Sequence, residues 1–254
     1  MTEQNPDLSF GVDIGGSGVK AAIVDLKTGE FVTERLKIAT PQPAEPDAVA
    51  EVVLQLMQEA AWDGPVGITV PAVVKNQFTR SAANIGGDWI GTDCQELFHR
   101  HLGDREIAVL NDADAAGLAE VAYGDEAARS GAVMLLTFGT GIGSALLMDG
   151  NLYPNSELGH LPFENTTCEK WASSAVKEKE DLPFKEWAKR VDQVMHLYGK
   201  LFSPQTFVVG GGISRKADKW VPRLTVEQKV VPAQLRNQAG IVGAAMAVRD
   251  GFRP

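Results

Sequence analysis

Residues 8–25, LSFGVDIGGSGVKAAIVD, place two apolar runs on either side of the glycines at 15, 16 and 18. Short β-rich runs separated by glycine predict a strand over 8–13, a tight turn, and a second strand over 19–25. Residues 132–148, AVMLLTFGTGIGSALLM, repeat the pattern with a strand over 132–138, a turn from Gly139 to Gly143 and a strand over 144–148. Asp13 and Thr137 end the two first strands and lie 124 residues apart in a chain of 254. This spacing predicts a weak internal duplication, two α/β halves that each open with a strand, a glycine turn and a strand.

The rest of the chain fits that frame. Lys27-Thr28-Gly29-Glu30 turns the chain into a third strand over 31–37, and a proline-rich spacer follows at 41–46. Val49, Val52, Val53, Leu56, Met57 and Ala60 then recur at helical spacing. Strands are expected at 66–70 and 107–110, a helix at 113–122, and a strand at 151–153 after the Asp149-Gly150 turn. Phe184, Trp187, Ala188, Val191, Val194, Met195, Tyr198, Leu201 and Phe202 form a long apolar helical stripe, with its aromatics read as core. A strand over 206–209 ends in Gly210-Gly211-Gly212, and an alanine-rich helix suited to close packing begins near Gly240. Strands alternating with helices make the chain an α/β protein.

Composition narrows the function classes. The 44% hydrophobic and 22% charged fractions belong to a folded globular chain, and a net charge of −9 speaks against a nucleic-acid partner. Cys94 and Cys168 form no Cys/His ligand spacing, so neither a disulfide framework nor structural zinc is expected. With no signal-like start and no long apolar run, a soluble cytoplasmic protein is expected. The charge is uneven. Residues 1–168 carry nine basic and 24 acidic side chains, whereas residues 169–254 carry 15 and nine. Six basic residues fall within 207–236, including Arg215, Lys216 and Lys219 directly after the third glycine run.

Three glycine-rich segments follow strands: Asp13 to Gly18, Gly139 to Ser144, and Gly210 to Ser214. Glycine lets backbone N–H groups face an anion unobstructed, so such turns can cradle phosphate, although each alone reads better as a structural turn. The G-x-x-x-x-G-K-[ST] loop is absent, and the Gly139 segment runs into a strand where a dinucleotide fold needs a helix. Hairpin-borne turns in two halves point instead to the actin/hexokinase type of phosphotransferase. There Ser17, Thr137 and Thr140 would add donors and Asp13 would hold Mg²⁺ through water. The strand at 107–110 ends in Asn111-Asp112. A carboxylate there can take a proton from a substrate hydroxyl, and it reads equally as a helix N-cap. Glu157, His160 and Glu169 add the carboxylates and imidazole that suit sugar hydroxyls.

Residues 13–20, 110–116, 136–144, 157–160 and 208–214 together resemble the ROK family of sugar kinases and regulators. The resemblance implies an actin-like, hexokinase-type fold of two α/β domains around a central cleft. It places one domain at 1–112 plus about 240–254 and the other at 113–239, in a homodimer. It implies that Asp112 is the general base on the glucose 6-hydroxyl, with Asn84, Asn111, Asp112, Glu157, His160 and Glu169 binding glucose. The phosphoryl donor would lie on Asp13, Gly15, Gly16, Ser17, Gly18, Lys20, Thr137, Gly139, Thr140, Gly141, Gly211 and Gly212, extended by Arg215, Lys216 and Lys219.

Segments 40–44, 111–117, 135–145, 176–179, 210–222 and 239–246 resemble the family members that take inorganic polyphosphate as donor and glucose as acceptor, with ATP as a further donor. Two departures stand out. Most ROK kinases carry a cysteine-rich zinc loop where residues 161–168 hold one cysteine, so no zinc is expected here and His160 would be a direct sugar ligand. Ala72 stands where the family often has glycine. The rival readings are a strictly ATP-dependent glucokinase or glucomannokinase and a non-catalytic sugar sensor. Family repressors carry a DNA-binding segment before the core, for which a first strand at Leu8 leaves no room.

Overall fold

The computed structural model describes residues 5–82 and 85–254. The chain divides into two compact units, Met1–Ala119 with Gln238–Pro254, and Glu120–Asn237.

In the first unit β1 (Leu8–Gly15) and β2 (Gly18–Asp25) form the expected hairpin, with Asp13 opposite Lys20 and Gly15 opposite Gly18. The expected strand over 31–37 is instead two short ones, β3 (Glu30–Phe31) and β4 (Leu36–Ile38), both paired with β2. Val32 to Arg35 between them are exposed, and the polar run Thr33-Glu34-Arg35 has no apolar face to lay on the sheet. Next come α1 (Pro46–Glu59), β5 (Val66–Val70), a small hairpin β6 (Val74–Lys75) and β7 (Phe78–Thr79), α2 (Cys94–Leu102), β8 (Ile107–Asn111) and α3 (Asp112–Tyr123). The sheet order is β3-β2-β1-β5-β8, with β5 parallel to both neighbours. β5 and the terminal strand β8 are both buried along their whole length, as parallel strands covered on two faces should be.

The second unit starts its own sheet with β9 (Ala132–Phe138), β10 (Ile142–Met148) and β11 (Asn151–Tyr153). After β12 (Pro162–Phe163) and β13 (Thr166–Thr167) come three helices, α4 (Cys168–Ala172), α5 (Ser174–Lys179) and α6 (Phe184–Phe202). They lead to β14 (Thr206–Gly210) and β15 (Lys229–Pro232), giving the order β11-β10-β9-β14-β15. Antiparallel pairs at the hairpin and parallel pairs beyond it reproduce the pairing of the first sheet. Trp187, Ala188, Val191, Val194, Met195 and Tyr198 of α6 are buried in one core with Met134, Leu136, Phe207 and Val209 of the sheet. Leu201 and Phe202, expected in the same core, are 57% and 39% exposed. Periodicity marks a helix face, and only the part of that face which the unit covers is buried.

The closing helix α7 (Ala239–Arg249) belongs to the first unit. A Cβ on Gly67 would lie 1.7 Å from the Ala244 carbonyl oxygen, and one on Gly11 would lie 1.9 Å from that of Ile241. On the helix itself, a Cβ at Gly243 would lie 1.8 Å from the carbonyl oxygen of Ala115. Helix and sheet thus approach backbone to backbone, which is why α7 is built of glycine and alanine. Among the described residues no helix is long and apolar enough to cross a membrane. Cys94 and Cys168 are free and buried, and burial pushes the Cys94 thiol up to about 12.

Candidate active site

In the first unit the β1–β2 turn presents Gly16 and Ser17 to solvent. Asp13, next to the end of β1, is held from two sides. Lys20 Nζ lies 2.8 Å from its Oδ2, and the Thr69 hydroxyl on β5 donates to its Oδ1 at 3.1 Å. Thr40 donates to the Gly15 carbonyl and Gln42 to the Gly16 carbonyl, so the segment after β4 braces the turn. Thr40, Gln42 and Thr69 were not among the expected site residues. The proximity of Thr69 follows from the parallel register that pairs Asp13 with it, which no local sequence signal reveals.

At the end of β8, Asn111 Oδ1 accepts the amides of Ala113 and Asp114 at 2.8 and 3.2 Å, and its Nδ2 donates to the Ala72 carbonyl at 3.2 Å. Asn111 therefore caps α3, the task that a purely structural reading gave to Asp112. It is 6% exposed. Asp112 is half-buried at the first position of the helix, with Oδ1 2.8 Å from the Ala113 amide. Asn84 lies outside the described residues.

The second unit brings together the other three expected sugar residues. His160 Nδ1 lies 3.4 Å from Glu157 Oε2, and its Nε2 lies 3.6 Å from Glu169 Oε1. The short helical turn that carries His160 is fixed from below. The Leu158 amide donates to Ser144 Oγ at 3.1 Å, Tyr198 OH donates to the Leu158 carbonyl at 2.8 Å, and a Cβ on Gly159 would meet the Ile142 carbonyl at 2.2 Å. Glu169 stands in the first turn of α4, which Thr167 caps. Burial pushes the Glu157 carboxyl above the usual carboxylate range; the His160 imidazole opposes this and the Glu169 charge adds to it. Among the described residues no cluster of three His, Cys, Asp or Glu side chains has metal-holding geometry.

The glycine turns of this unit adjoin the trio. Gly139, Thr140 and Gly141 link β9 to β10, and a Cβ at Gly141 would lie 2.4 Å from Glu169 Oε2. Glycine at 141 thus lets a carboxylate of the trio rest on the turn. Gly210 pairs with Thr137 across β14 and β9. Gly211, at φ 83°, passes so close to Phe138 that a Cβ would lie 2.3 Å from its carbonyl oxygen. Gly139, Thr140, Gly212, Arg215, Lys216 and Lys219 are at least partly exposed around these turns. The second unit alone therefore brings the Glu157–His160–Glu169 trio against the glycine turn at Gly141.

Comparison with known proteins agrees with this geometry. The model of the ROK family matches residues 9–172. The chain is 51% identical over 238 residues to polyphosphate glucokinase of Mycobacterium tuberculosis, covering 94% of this chain and 90% of that one. Among solved structures, the inorganic polyphosphate/ATP-glucomannokinase of Arthrobacter sp. strain KM matches with TM-score 0.92 and 44% identity, over 96% of this chain and 99% of that one. A ROK family glucokinase from Streptomyces griseus, solved with glucose and AMPPNP, matches with TM-score 0.82 at 24% identity, over 96% and 100%. The fold is the hexokinase-type fold of these sugar kinases.

Proposed function

Since the chain belongs to the ROK family, we propose that it is a glucokinase that transfers the terminal phosphoryl group of inorganic polyphosphate to the 6-hydroxyl of glucose, with ATP as a further donor. The observation that carries this reading is the contact of Glu169 with Gly141, which seats the sugar trio directly on a phosphate-type turn. The identity with polyphosphate glucokinase supports the donor, and the polyphosphate/ATP-glucomannokinase supports ATP beside it.

In this mechanism Glu157, His160 and Glu169 bind the sugar hydroxyls, with Asn111 and Asn84 as further ligands. Among the described residues Asn111 keeps one Nδ2 hydrogen for that purpose, because its oxygen is committed to the α3 amides and its other hydrogen to Ala72. Asp112 takes the 6-hydroxyl proton as the oxygen attacks, the phosphoryl group moves in line, and the shortened polyphosphate leaves. Backbone N–H groups of the turns at Gly15–Gly18, Gly139–Gly141 and Gly211–Gly212 bear the charge of the donor, aided by Lys20, Arg215, Lys216 and Lys219. Phosphoryl transfer asks a protein chiefly for positioning and charge stabilisation, which these groups supply. Mg²⁺ fits beside them. At the β1–β2 turn the carboxylate of Asp13 stands beside the glycines, and this ion keeps its waters and needs few protein ligands. Bound there through water, it would supply further neutralisation of the phosphates. The protein works in the cytoplasm, and the expected assembly is a homodimer.

Glucose 6-phosphate formation with polyphosphate or ATP, each with glucose or mannose, tests this reading. Turnover of glucose with polyphosphate is expected. Turnover with ATP alone would establish the nucleotide-dependent alternative, and no turnover with either donor would overturn the kinase reading and leave that of a sugar sensor standing.

A further inference from the structure

Three lysines of the second unit converge on one aromatic ring. The Nζ of Lys177 lies 4.6 Å from the centroid of Phe184, that of Lys219 lies 5.8 Å from it and that of Lys216 lies 6.0 Å from it. Lys177 comes from α5, while Lys216 and Lys219 come from the helical turns at Gly212–Lys219. Lys216 and Lys219 are exposed and Lys177 and Phe184 are half-buried. Phe184 is itself positioned by the core, with its ring edge-on to that of Trp187 at 6.3 Å. Among the described residues no carboxylate pairs with any of the three lysines. A ring attracts an ammonium group by about 0.5–1 kcal/mol at an exposed site, which seats a lysine without neutralising it. Three uncompensated positive charges therefore share one small area.

Both arms of this cluster are anchored to the donor turns. The Ser174 hydroxyl and the Ala175 amide at the start of α5 donate to the Gly139 carbonyl at 3.0 and 3.1 Å. Ser214, two residues before Lys216, donates from Oγ and from its amide to the Gly211 carbonyl at 2.8 and 3.1 Å. Lys177 and Lys216 thus begin within a few residues of the turns at Gly139 and Gly211. A compact lysine cluster with no carboxylate partner, next to turns that hold a terminal phosphate, matches the chemistry of a chain of phosphates and not of a neutral sugar. We propose that Lys177, Lys216 and Lys219, gathered round Phe184, hold phosphate units of polyphosphate beyond the one being transferred. This rests on polyphosphate as donor. It adds Lys177 to the donor site and assigns the three lysines to chain length.

The test compares the wild-type protein with the Lys177→Gln/Lys216→Gln/Lys219→Gln variant and with the corresponding triple arginine variant. Steady-state kinetics use long-chain polyphosphate, tripolyphosphate and ATP, and direct binding of long-chain polyphosphate is titrated at two salt concentrations. The glutamine variant should raise KM for long-chain polyphosphate about tenfold or more. Its KM for glucose should stay within about threefold of wild type, and its KM for tripolyphosphate should rise less than that for the long chain. The arginine variant should restore the long-chain KM, because charge is what the cluster supplies. Binding should weaken in the glutamine variant and lose part of its salt dependence, as expected when fewer cations displace counterions from a polyanion. An unchanged long-chain KM and affinity, or an equal rise for tripolyphosphate, would overturn the proposal while leaving the polyphosphate reading intact. Wild-type protein that binds polyphosphate through these lysines yet transfers no phosphoryl from it would uphold the cradle and overturn polyphosphate as donor.

Discussion

The two units share one strand plan and differ in what they hang on it. Each sheet runs from an antiparallel hairpin into two parallel strands, in the matching orders β3-β2-β1-β5-β8 and β11-β10-β9-β14-β15. In the first unit the hairpin turn has two residues between Gly15 and Gly18, backed by the Asp13–Lys20 pair; in the second it has three between Phe138 and Ile142, with Glu169 resting on it. Their charges differ too. The first unit carries ten basic and 19 acidic residues, while the second carries 14 of each. The whole net charge of −9 therefore belongs to the first unit. The second is neutral overall but polarised, with its acidic trio at His160 and its lysines at Phe184. A strand plan fixes where turns occur, and the side chains beside each turn decide what it binds.

The comparison yields predictions of decreasing size. Asp112→Asn should remove the general base proposed in the first unit and lower kcat by about 10²–10⁴-fold, read in a glucose 6-phosphate assay. Near-normal turnover would reject the assignment.

Backbone packing gives the next effect. Gly67→Ala would push a Cβ into the Ala244 carbonyl, whereas Gly139→Ala meets nothing within 4 Å. Overpacking costs about 1–3 kcal/mol, and each kcal/mol shifts the midpoint by roughly 2–4 °C in domains of 150–250 residues. The first variant should therefore melt several degrees below wild type. The second should melt close to wild type but show a raised donor KM. Equal melting temperatures for both would refute the close-approach account of α7.

The smallest effect concerns Glu157. Its carboxyl is pushed up chiefly by burial, so the folded state resists its ionisation. A raised carboxyl contributes stability at low pH that is lost as pH rises from about the ordinary carboxylate value through the raised one. Glu157→Gln should accordingly raise the melting temperature at pH 8 relative to wild type, with the gain shrinking toward pH 4, while weakening glucose binding. A gain that grows toward low pH would contradict the burial assignment.

Much of this was legible in the residue order, and the misses have physical causes. The hairpins at 8–25 and 132–148 were read because their strands are short, apolar and bounded by glycine. Helix α2 was passed over although Asp93 caps it and Cys94, Leu97, Phe98 and Leu102 mark its buried face. The break in the strand at 31–37 came from three polar residues that propensity alone does not weigh against the flanking apolar ones. In the site, Glu157, His160 and Glu169 were foreseen and do converge. Thr69 was not, because strand register across the sheet brings it to Asp13. Lys177, read only within segment 176–179, was not grouped with Lys216 for a similar reason. Its distance from Lys216 in sequence conceals that one phenylalanine ring gathers both.

The most direct test of the central claim measures glucose 6-phosphate made by the purified protein from glucose and inorganic polyphosphate in nucleotide-free buffer, alongside the Asp112→Asn variant. The account predicts steady product formation by the wild-type protein and at least a hundredfold less by the variant. No product from polyphosphate, or equal rates from the two proteins, would contradict it.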